Sequence, residues 1–375
     1  MSSKKFDAFK EYVNGKNITV VGIGISNLPL IEFLCKHGAN VTACDKKTEA
    51  ELGETAMQLK DMGVILSLGE EYLDNLSGEL IFKTPGMRFD HSALLKAKEN
   101  GSIITSEMEV FFKVCPAKII GITGSDGKTT TTTLVYNILC ESGYRCHLGG
   151  NIGTPLLCRT DDINEEDIAV IELSSFQLHT MKKSADVAVI TNITPNHLDV
   201  HKSYEEYIEA KKNIYINQGE DGVLVVNSTN EKSHSCSTDA KGTVRSFGYD
   251  EECSVYSDGK SIYAFGEKLL DISDIKIPGE HNVQNYMTAI AATYPLYKPE
   301  AVKKVAQSFG GVAHRIEFVR EIDGVRYYNS SIDSSPNRTI NTLKVFEHIN
   351  PDYVVITGDT IDQHNVYEDK NNLKR

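Results

Sequence analysis

Lys128 and Thr129, near the end of the run TGSDGKTT at residues 123–130, have the types and spacing best suited to chemistry in this chain. A lysine brings a point positive charge, and a neighbouring threonine hydroxyl can reach a divalent cation. Gly124, Ser125, Asp126 and Gly127 lead into the pair, and Thr130 follows it. Apolar Ile119, Ile120 and Ile122 precede the glycine turn, and helix-like Leu134, Val135 and Tyr136 come after it. Strand, glycine loop and helix N-terminus together form a phosphate cradle, in which backbone N–H groups and the positive end of the helix dipole face the anion. The spacing is shorter than that of the usual P-loop, because Ile122 stands where the first glycine would be. The chemistry this predicts is the binding of a nucleoside triphosphate.

Other residues could serve the same site. Glu172 ends the apolar run IAVIEL and is followed by Ser174 and Ser175. A carboxylate at the C-terminal edge of such a strand is well placed for Mg²⁺ on a triphosphate. Asn151, in the glycine-rich turn GGNIGTP, offers an amide to a phosphate or a metal-bound water. Residues 191–201, TNITPNHLDVH, concentrate Asn192, His197, Asp199 and His201. The two histidines, four apart, could share a helical face and ligate a metal, although turn-rich surface histidines give the same string. Lys211, in YIEAKKNI, reads from the residues alone as a solvated helix lysine.

The elements that must hold these residues alternate between strand and helix. Residues 17–24 (NITVVGIG) form a β-rich run ending in glycines, 26–36 carry helical periodicity through Leu28, Ile31, Leu34 and Cys35, and 41–44 make a second strand ending at Asp45. Gly22 and Gly24 fit a dinucleotide fingerprint, but Asn27 takes the place of its third glycine. A nucleotide at this end of the sheet and plain turn glycines both remain open. A strand at 80–84 runs into Pro85-Gly86, a helix covers 91–100, and Ile103-Ile104 begins the exit toward a boundary near 114–116. Further strands fall at 169–173, 187–192 and 222–227, with a largely helical stretch at 199–216. A polar region at 228–259 precedes a helix at 281–296 that packs on Ala289, Ala291 and Ala292. A second boundary at 312–314 is followed by strands at 317–320 and 325–328.

Composition narrows the function classes. A chain of 375 residues predicts two or three domains. The net charge of −13 argues against a nucleic-acid partner, because a phosphate backbone would be repelled. No apolar stretch approaches the ~20 residues that span a bilayer, so no membrane association is expected. The N-terminus has no apolar signal region, and the eight cysteines form no CxxC pair. Reduced thiols in a cytoplasmic protein are the expectation.

The segments TGSDGKTT, GGNIGTP, ELSSFQL, TNITPNHLDVH with YIEAKKNI, GEHNVQN and AHRIE, in this order, resemble the Mur ligase family of ATP-dependent amide-forming enzymes. GIGISN, KTPG and YYNSSIDSSPNRT look most like the members that add D-glutamate to UDP-N-acetylmuramoyl-L-alanine. The resemblance implies an α/β protein with a Rossmann-like N-terminal domain (1–114), a central P-loop ATPase-type parallel-sheet domain (115–312) and a partial C-terminal Rossmann-like domain (313–375). It implies ATP and Mg²⁺ as cofactors, those two substrates as partners, and a monomer. By the same resemblance the first domain takes the uridine nucleotide through Ser26, Asn27, Asp45 and the turn Thr84-Pro85-Gly86. Lys128 and Thr129 hold the ATP phosphates and the first Mg²⁺, with Glu172 as a metal ligand. His197 ligates a second Mg²⁺, and Lys211 becomes a ligand when carbamylated. Asn151, His281 and Asn282 match nucleotide- or phosphate-site positions, and Arg315 matches the arginine at the hinge to the third domain.

Three departures from the family pattern stand out. Asn196 replaces the usual aspartate before the histidine, and Ser330 replaces the aspartate of an NDS-type string. Only 60 residues follow Arg315, where the family carries a full third domain. A strand at 353–357 and one helix at 340–347 would leave apolar faces uncovered and lose closure over ATP. The chain is therefore expected to be a truncated ligase with weak or no activity, or a non-catalytic binder of ATP and UDP-sugar. An NAD-dependent oxidoreductase built on the first glycine loop is the reading from another class, and Asn27 and the phosphate loop weigh against it.

Overall fold

A computed structural model describes residues 4–24, 27–196, 200–331, 342, 343, 345 and 346. The expected strand at 353–357 lies outside the described residues, as do Ser26, His197 and Asp199. Of the expected helix at 340–347 only the last four of those described positions can be placed, and they are helical.

Two parallel sheets carry the chemistry. The first is built from β1 (Asn17–Val21), β2 (Asn40–Asp45), β3 (Ile65–Leu68), β4 (Leu80–Phe82) and β5 (Ile103–Thr105) in the order β3-β2-β1-β4-β5. All its pairings are parallel. That order places a topological switch between β1 and β4, so the loops after these two strands open a crevice at the carboxyl edge. The helix Leu28–Lys36 follows β1 and buries Leu30, Ile31, Phe33 and Leu34 against the sheet. Ahead of β1, the helix Lys4–Val13 stacks Phe6 and Phe9 on Phe33.

The second sheet holds β6 (Lys118–Thr123), β7 (Cys146–Gly150), β8 (Ile168–Glu172), β9 (Val187–Ile190), β10 (Val223–Asn227), β11 (Thr243–Gly248), β12 (Val255–Ser257), β13 (Ser261–Ala264) and β14 (Glu267–Asp271). Their order is β14-β13-β12-β11-β10-β9-β6-β8-β7. From β7 to β12 the pairings are parallel, while β13 and β14 add an antiparallel edge. β6 reads as a continuous apolar run because both of its faces are covered. One side is closed by the helices Lys128–Glu141 and Glu280–Thr293, whose Leu134, Val135 and Ile138 share a core with Tyr286, Met287 and Ile290. Ala289, Ala291 and Ala292 are buried here, and their small side chains let the second helix lie close.

The other side of this sheet shares one apolar core with the first. Ile18, Val20 and Phe82 belong to the same cluster as Phe111, Leu156, Leu178 and Ile190. The helix Glu107–Val114, capped by Ser106, runs between the two sheets and buries Phe111 and Phe112. Beyond the second sheet, β15 (Glu317–Ile322) and β16 (Val325–Asn329) form a hairpin whose Phe318, Val319 and Tyr327 are exposed.

Candidate active site

The loop after β6 is held from three directions. Gly124 has a φ of +151°, and a Cβ there would run into the Thr191 hydroxyl. Thr191 Oγ1 donates to the Asp126 carbonyl at 2.6 Å, and Asn192 Oδ1 accepts the Asp126 N–H at 2.9 Å. Ser125 is 1% exposed, and its hydroxyl meets the Thr194 carbonyl and the Tyr207 hydroxyl at 2.9 Å each. Gly127, at φ +78°, comes so close to Asn285 that a Cβ would lie 2.5 Å from its amide oxygen. No side chain caps the helix Lys128–Glu141, so its first-turn N–H groups have no intrahelical partner. The loop is thus shaped before any anion arrives, with donors aimed out of it. Lys128 Nζ folds back onto the Ser125 carbonyl at 2.9 Å.

Asn282, near the start of the helix Glu280–Thr293, reaches this loop through a relay. Its side-chain oxygen accepts from Asn285 Nδ2 at 3.1 Å, and Asn285 Oδ1 accepts from the Thr131 hydroxyl at 3.2 Å. His281, beside it, is exposed. Asn285, Thr191 and Tyr207 were missed by motif reading, because an amide, a hydroxyl and a phenol gain meaning only when the fold packs them on the loop.

Glu172 closes β8 and is 1% exposed. Asn151 Nδ2 donates to its Oε1 at 3.0 Å, while Oε2 is buried and has no hydrogen-bond partner. An orphaned carboxylate oxygen in such a place is costly unless something occupies it. Gly150 abuts the Glu172 carbonyl so closely that any Cβ there would overlap it. Hard oxygen donors of this kind suit Mg²⁺, which takes one or two protein carboxylates and completes its shell with phosphate and water.

Lys211 is where the residue-level reading fails. The helix Tyr204–Lys212 turns it inward, and it is 1% exposed instead of solvated. Its Nζ donates to the Gly124 carbonyl at 2.8 Å and the Thr123 hydroxyl at 3.3 Å, over the Tyr207 ring. Burial, and then the charge of Lys128, hold its pKa well below that of an ordinary lysine. The expected helical face for His201 is also absent, because Ser203 caps the helix and His201 precedes it. His201 is instead buried, with Nε2 2.9 Å from the Ser175 hydroxyl and its ring stacked on Phe176. Asn196 is half-buried in the loop ahead of it.

In the first sheet the glycine loop is tightened by its own polar side chains. Asp45 Oδ2 accepts the Ile23 N–H at 2.6 Å and Oδ1 accepts the Lys47 N–H at 2.9 Å. Asn27 donates to the Val21 and Gly22 carbonyls at 3.0 Å each. Asn27 therefore fills the space a third glycine would leave. Thr84 faces this loop, its Cβ 3.2 Å from where a Cβ on Gly22 would be. Pro85 and Gly86 continue the turn, and Pro85 lines a cleft together with Asn27, Gly150 and Gln177. The two sheets thus face each other across a shared opening.

The turn after β4 is bolted to the helix that carries Lys211. Arg88 makes paired bonds to Glu206 at 2.9 and 3.1 Å, reaches the Val200 carbonyl at 2.7 Å, and holds Asp90 at 2.8 and 3.0 Å. Hydrogen bonding to Arg88 lowers the Glu206 pKa to about 2 and pushes Asp90 well below the usual carboxylate range. Depressed folded-state values of this kind contribute stability that is complete above the ordinary carboxylate pKa of about 4 and is lost as pH falls toward 2. Arg88→Ala is expected to cost about 1–2 kcal/mol near neutrality and to flatten the acid limb between about pH 4 and 2. Thermal melts of both proteins across that range measure it, and an unchanged acid limb would refute the clasp.

Arg315 lies between His314 and Ile316, both in the left-handed region at φ 65° and 48°. Its Nε is buried without a hydrogen-bond partner. Ser330 meets this segment, its hydroxyl accepting the Ile316 N–H at 3.2 Å.

Comparison with known proteins agrees with this architecture. Residues 16–106 match the Mur ligase MurD-like N-terminal domain, and residues 122–293 match the Mur ligase middle domain. The UDP-N-acetylmuramoylalanine–D-glutamate ligase of Clostridium novyi is 52% identical over 368 residues, covering 97% of this chain and 80% of that one. The enzyme of the same name from Ruminiclostridium cellulolyticum is 53% identical over 352 residues, covering 92% and 76%. Among solved structures, the UDP-N-acetylmuramate–alanine ligase of Thermotoga maritima superposes with a TM-score of 0.57 at 21% identity, covering 89% of this chain and 78% of that one. The murein peptide ligase of Psychrobacter arcticus gives 0.54 at 17%, covering 90% and 77%. These two likenesses concern the fold. With its two domain matches and relatives identical at half of all positions, the chain belongs to the Mur ligase family.

Proposed function

We propose that this chain is an ATP-dependent ligase that joins D-glutamate to UDP-N-acetylmuramoyl-L-alanine in peptidoglycan precursor synthesis. The observation that carries the reading is the convergence of Lys128, the unpaired Glu172 oxygen and buried Lys211 on one preshaped phosphate loop. The likeness to D-glutamate ligases, spread over nearly the whole chain, supports the choice of substrates. The domains proposed are 1–114 for the uridine nucleotide, 115–312 for ATP and 313–375 as the C-terminal part. Among the described residues no helix is long and apolar enough to cross a membrane, and a cytoplasmic monomer is the form proposed.

A carboxylate is a poor electrophile, because hydroxide leaves badly. Transfer of the ATP γ-phosphoryl group to the alanine carboxylate gives an acyl phosphate and ADP. The D-glutamate amine then attacks the acyl carbon, and the tetrahedral adduct expels phosphate as the amide bond forms. In this scheme the Gly124–Thr130 backbone and Lys128 orient the triphosphate and offset the charge where two anions are pressed together. Asn151 holds one oxygen of Glu172 and leaves the other unpaired. Thr129, Glu172, His197 and carbamylated Lys211 are the residues proposed to hold Mg²⁺. When bound, Mg²⁺ would supply Lewis-acid polarisation of phosphoryl oxygens. Gly22, Gly24 and Thr84 would receive the nucleotide end of the acceptor, with Ser26, Pro85 and Gly86 around it. Asn27 and Asp45 would act there by fixing the loop. Asn282 acts through the Asn285 relay, and Arg315 is proposed at the hinge.

A phosphate-release assay tests the reading. With ATP, Mg²⁺ and UDP-N-acetylmuramoyl-L-alanine present, phosphate should appear on addition of D-glutamate and stay at background with L-glutamate. Phosphate release indifferent to D-glutamate, or none at all, sinks the ligase assignment.

A further inference from the structure

Lys83 is 3% exposed, yet its ammonium has almost nothing to bond with. Its one hydrogen bond among the described residues is a long one, 3.4 Å to the Met87 carbonyl. Glu109 is the carboxylate whose charge acts on it, and the two form no ion pair within 4 Å. Burial raises the Glu109 pKa, which weakens it further as a counter-ion. A buried ammonium with two unused donors is expensive, and a methionine of similar length would fill the space at less cost.

The position of this lysine accounts for the expense. Lys83 directly follows β4, which pairs with β1, and β1 leads into the first glycine loop. It lines two neighbouring clefts. One brings it together with Asn27, Gly150 and Gln177, and the other with Phe176 and His179. The first of these clefts joins Asn27, beside the glycine loop of the first sheet, to Gly150 at the end of β7 in the second.

We infer that Lys83 is a binding residue for an anionic oxygen of the nucleotide-sugar substrate. The inference rests on the ligase reading above. The acceptor carries two such groups, its diphosphate and its carboxylate, and the chemistry recognised is the same for both.

The experiment is calorimetric titration of the wild type, Lys83→Met and Lys83→Arg with UDP and with UDP-N-acetylmuramoyl-L-alanine, alongside thermal melting. The Met variant should bind the nucleotide sugar about tenfold or more weakly. It should melt no lower than the wild type, because an unsatisfied buried charge has been removed. The Arg variant should bind more tightly than the Met variant. Equal weakening of UDP assigns Lys83 to the diphosphate, and weakening of the nucleotide sugar with UDP unchanged assigns it to the carboxylate. Unchanged binding of both ligands overturns the inference, and so does equal loss in the Arg and Met variants, which would indicate packing. Failure of the wild type to bind UDP-N-acetylmuramoyl-L-alanine would instead overturn the ligase reading, before any variant is considered.

Discussion

Replacing Lys128 with alanine is expected to lower D-glutamate-dependent phosphate release by about a thousandfold or more while leaving the chain folded. The size of the effect follows from the charge problem. A triphosphate and a carboxylate must be brought into contact, and Lys128 is the cation of the phosphate loop itself. The intact fold follows from how the loop is built. Thr191, Asn192 and Lys211 bond its backbone and Tyr207 meets the Ser125 hydroxyl, whereas the Lys128 side chain bonds the Ser125 carbonyl. Loss of that bond costs about 1 kcal/mol at most. Turnover of the variant at the wild-type rate under saturating substrates would remove Lys128 from the mechanism.

Lys211→Ala is expected to reduce turnover by about a hundredfold or more, and Lys211→Arg should not restore it. Burial lowers the pKa of this amine, which raises its neutral share, and a neutral amine attacks carbon dioxide. In that reaction the nitrogen–carbon bond forms, a proton leaves, and a carboxylate-like carbamate replaces the uncharged amine. Arginine keeps its charge and cannot follow this course. Wild-type activity should therefore fall in buffers stripped of carbon dioxide and return with bicarbonate. Activity indifferent to bicarbonate, with no mass increase of one carbon dioxide on Lys211, would leave it as a plain lysine.

These residues differ in how far the sequence announced them. The phosphate loop was legible because strand, glycines, lysine and helix are contiguous, so local spacing carries the whole signal. Glu172 was legible for a similar reason, since a carboxylate ending an apolar run has nowhere else to sit in a parallel sheet. Lys211 was legible only through the family resemblance, because two adjacent lysines on a short helix give no hint which one faces inward. Arg88 and Glu206 are 118 residues apart, and their pairing is a product of packing between sheets. The buried state of Lys83 was hidden in the same way, because a lysine near the end of an expected strand carries no local sign of what covers it. The fold shows the same division. β3 is an edge strand with Ile65 exposed, so its alternation is weak and the pattern passed over it. The helix Glu107–Val114 fills the stretch between Ile104 and the expected boundary at 114–116, where no element is expected, although Ser106 followed by Glu109 is a cap signal.

The Arg88 clasp has a consequence for what the enzyme measures. The turn after β4 is tied to the helix bearing Lys211, so a strut of paired bonds links the two glycine loops. The opening then works as a caliper with braced jaws. A nucleotide seated in one jaw delivers its far carboxylate to the other only if the intervening sugar and amino acid have the right length. If the first loop takes the uridine as proposed, an acceptor lacking the alanine would be gripped there yet stop short of the phosphate loop. On the ligase reading proposed above, selection among acceptors would be made by span.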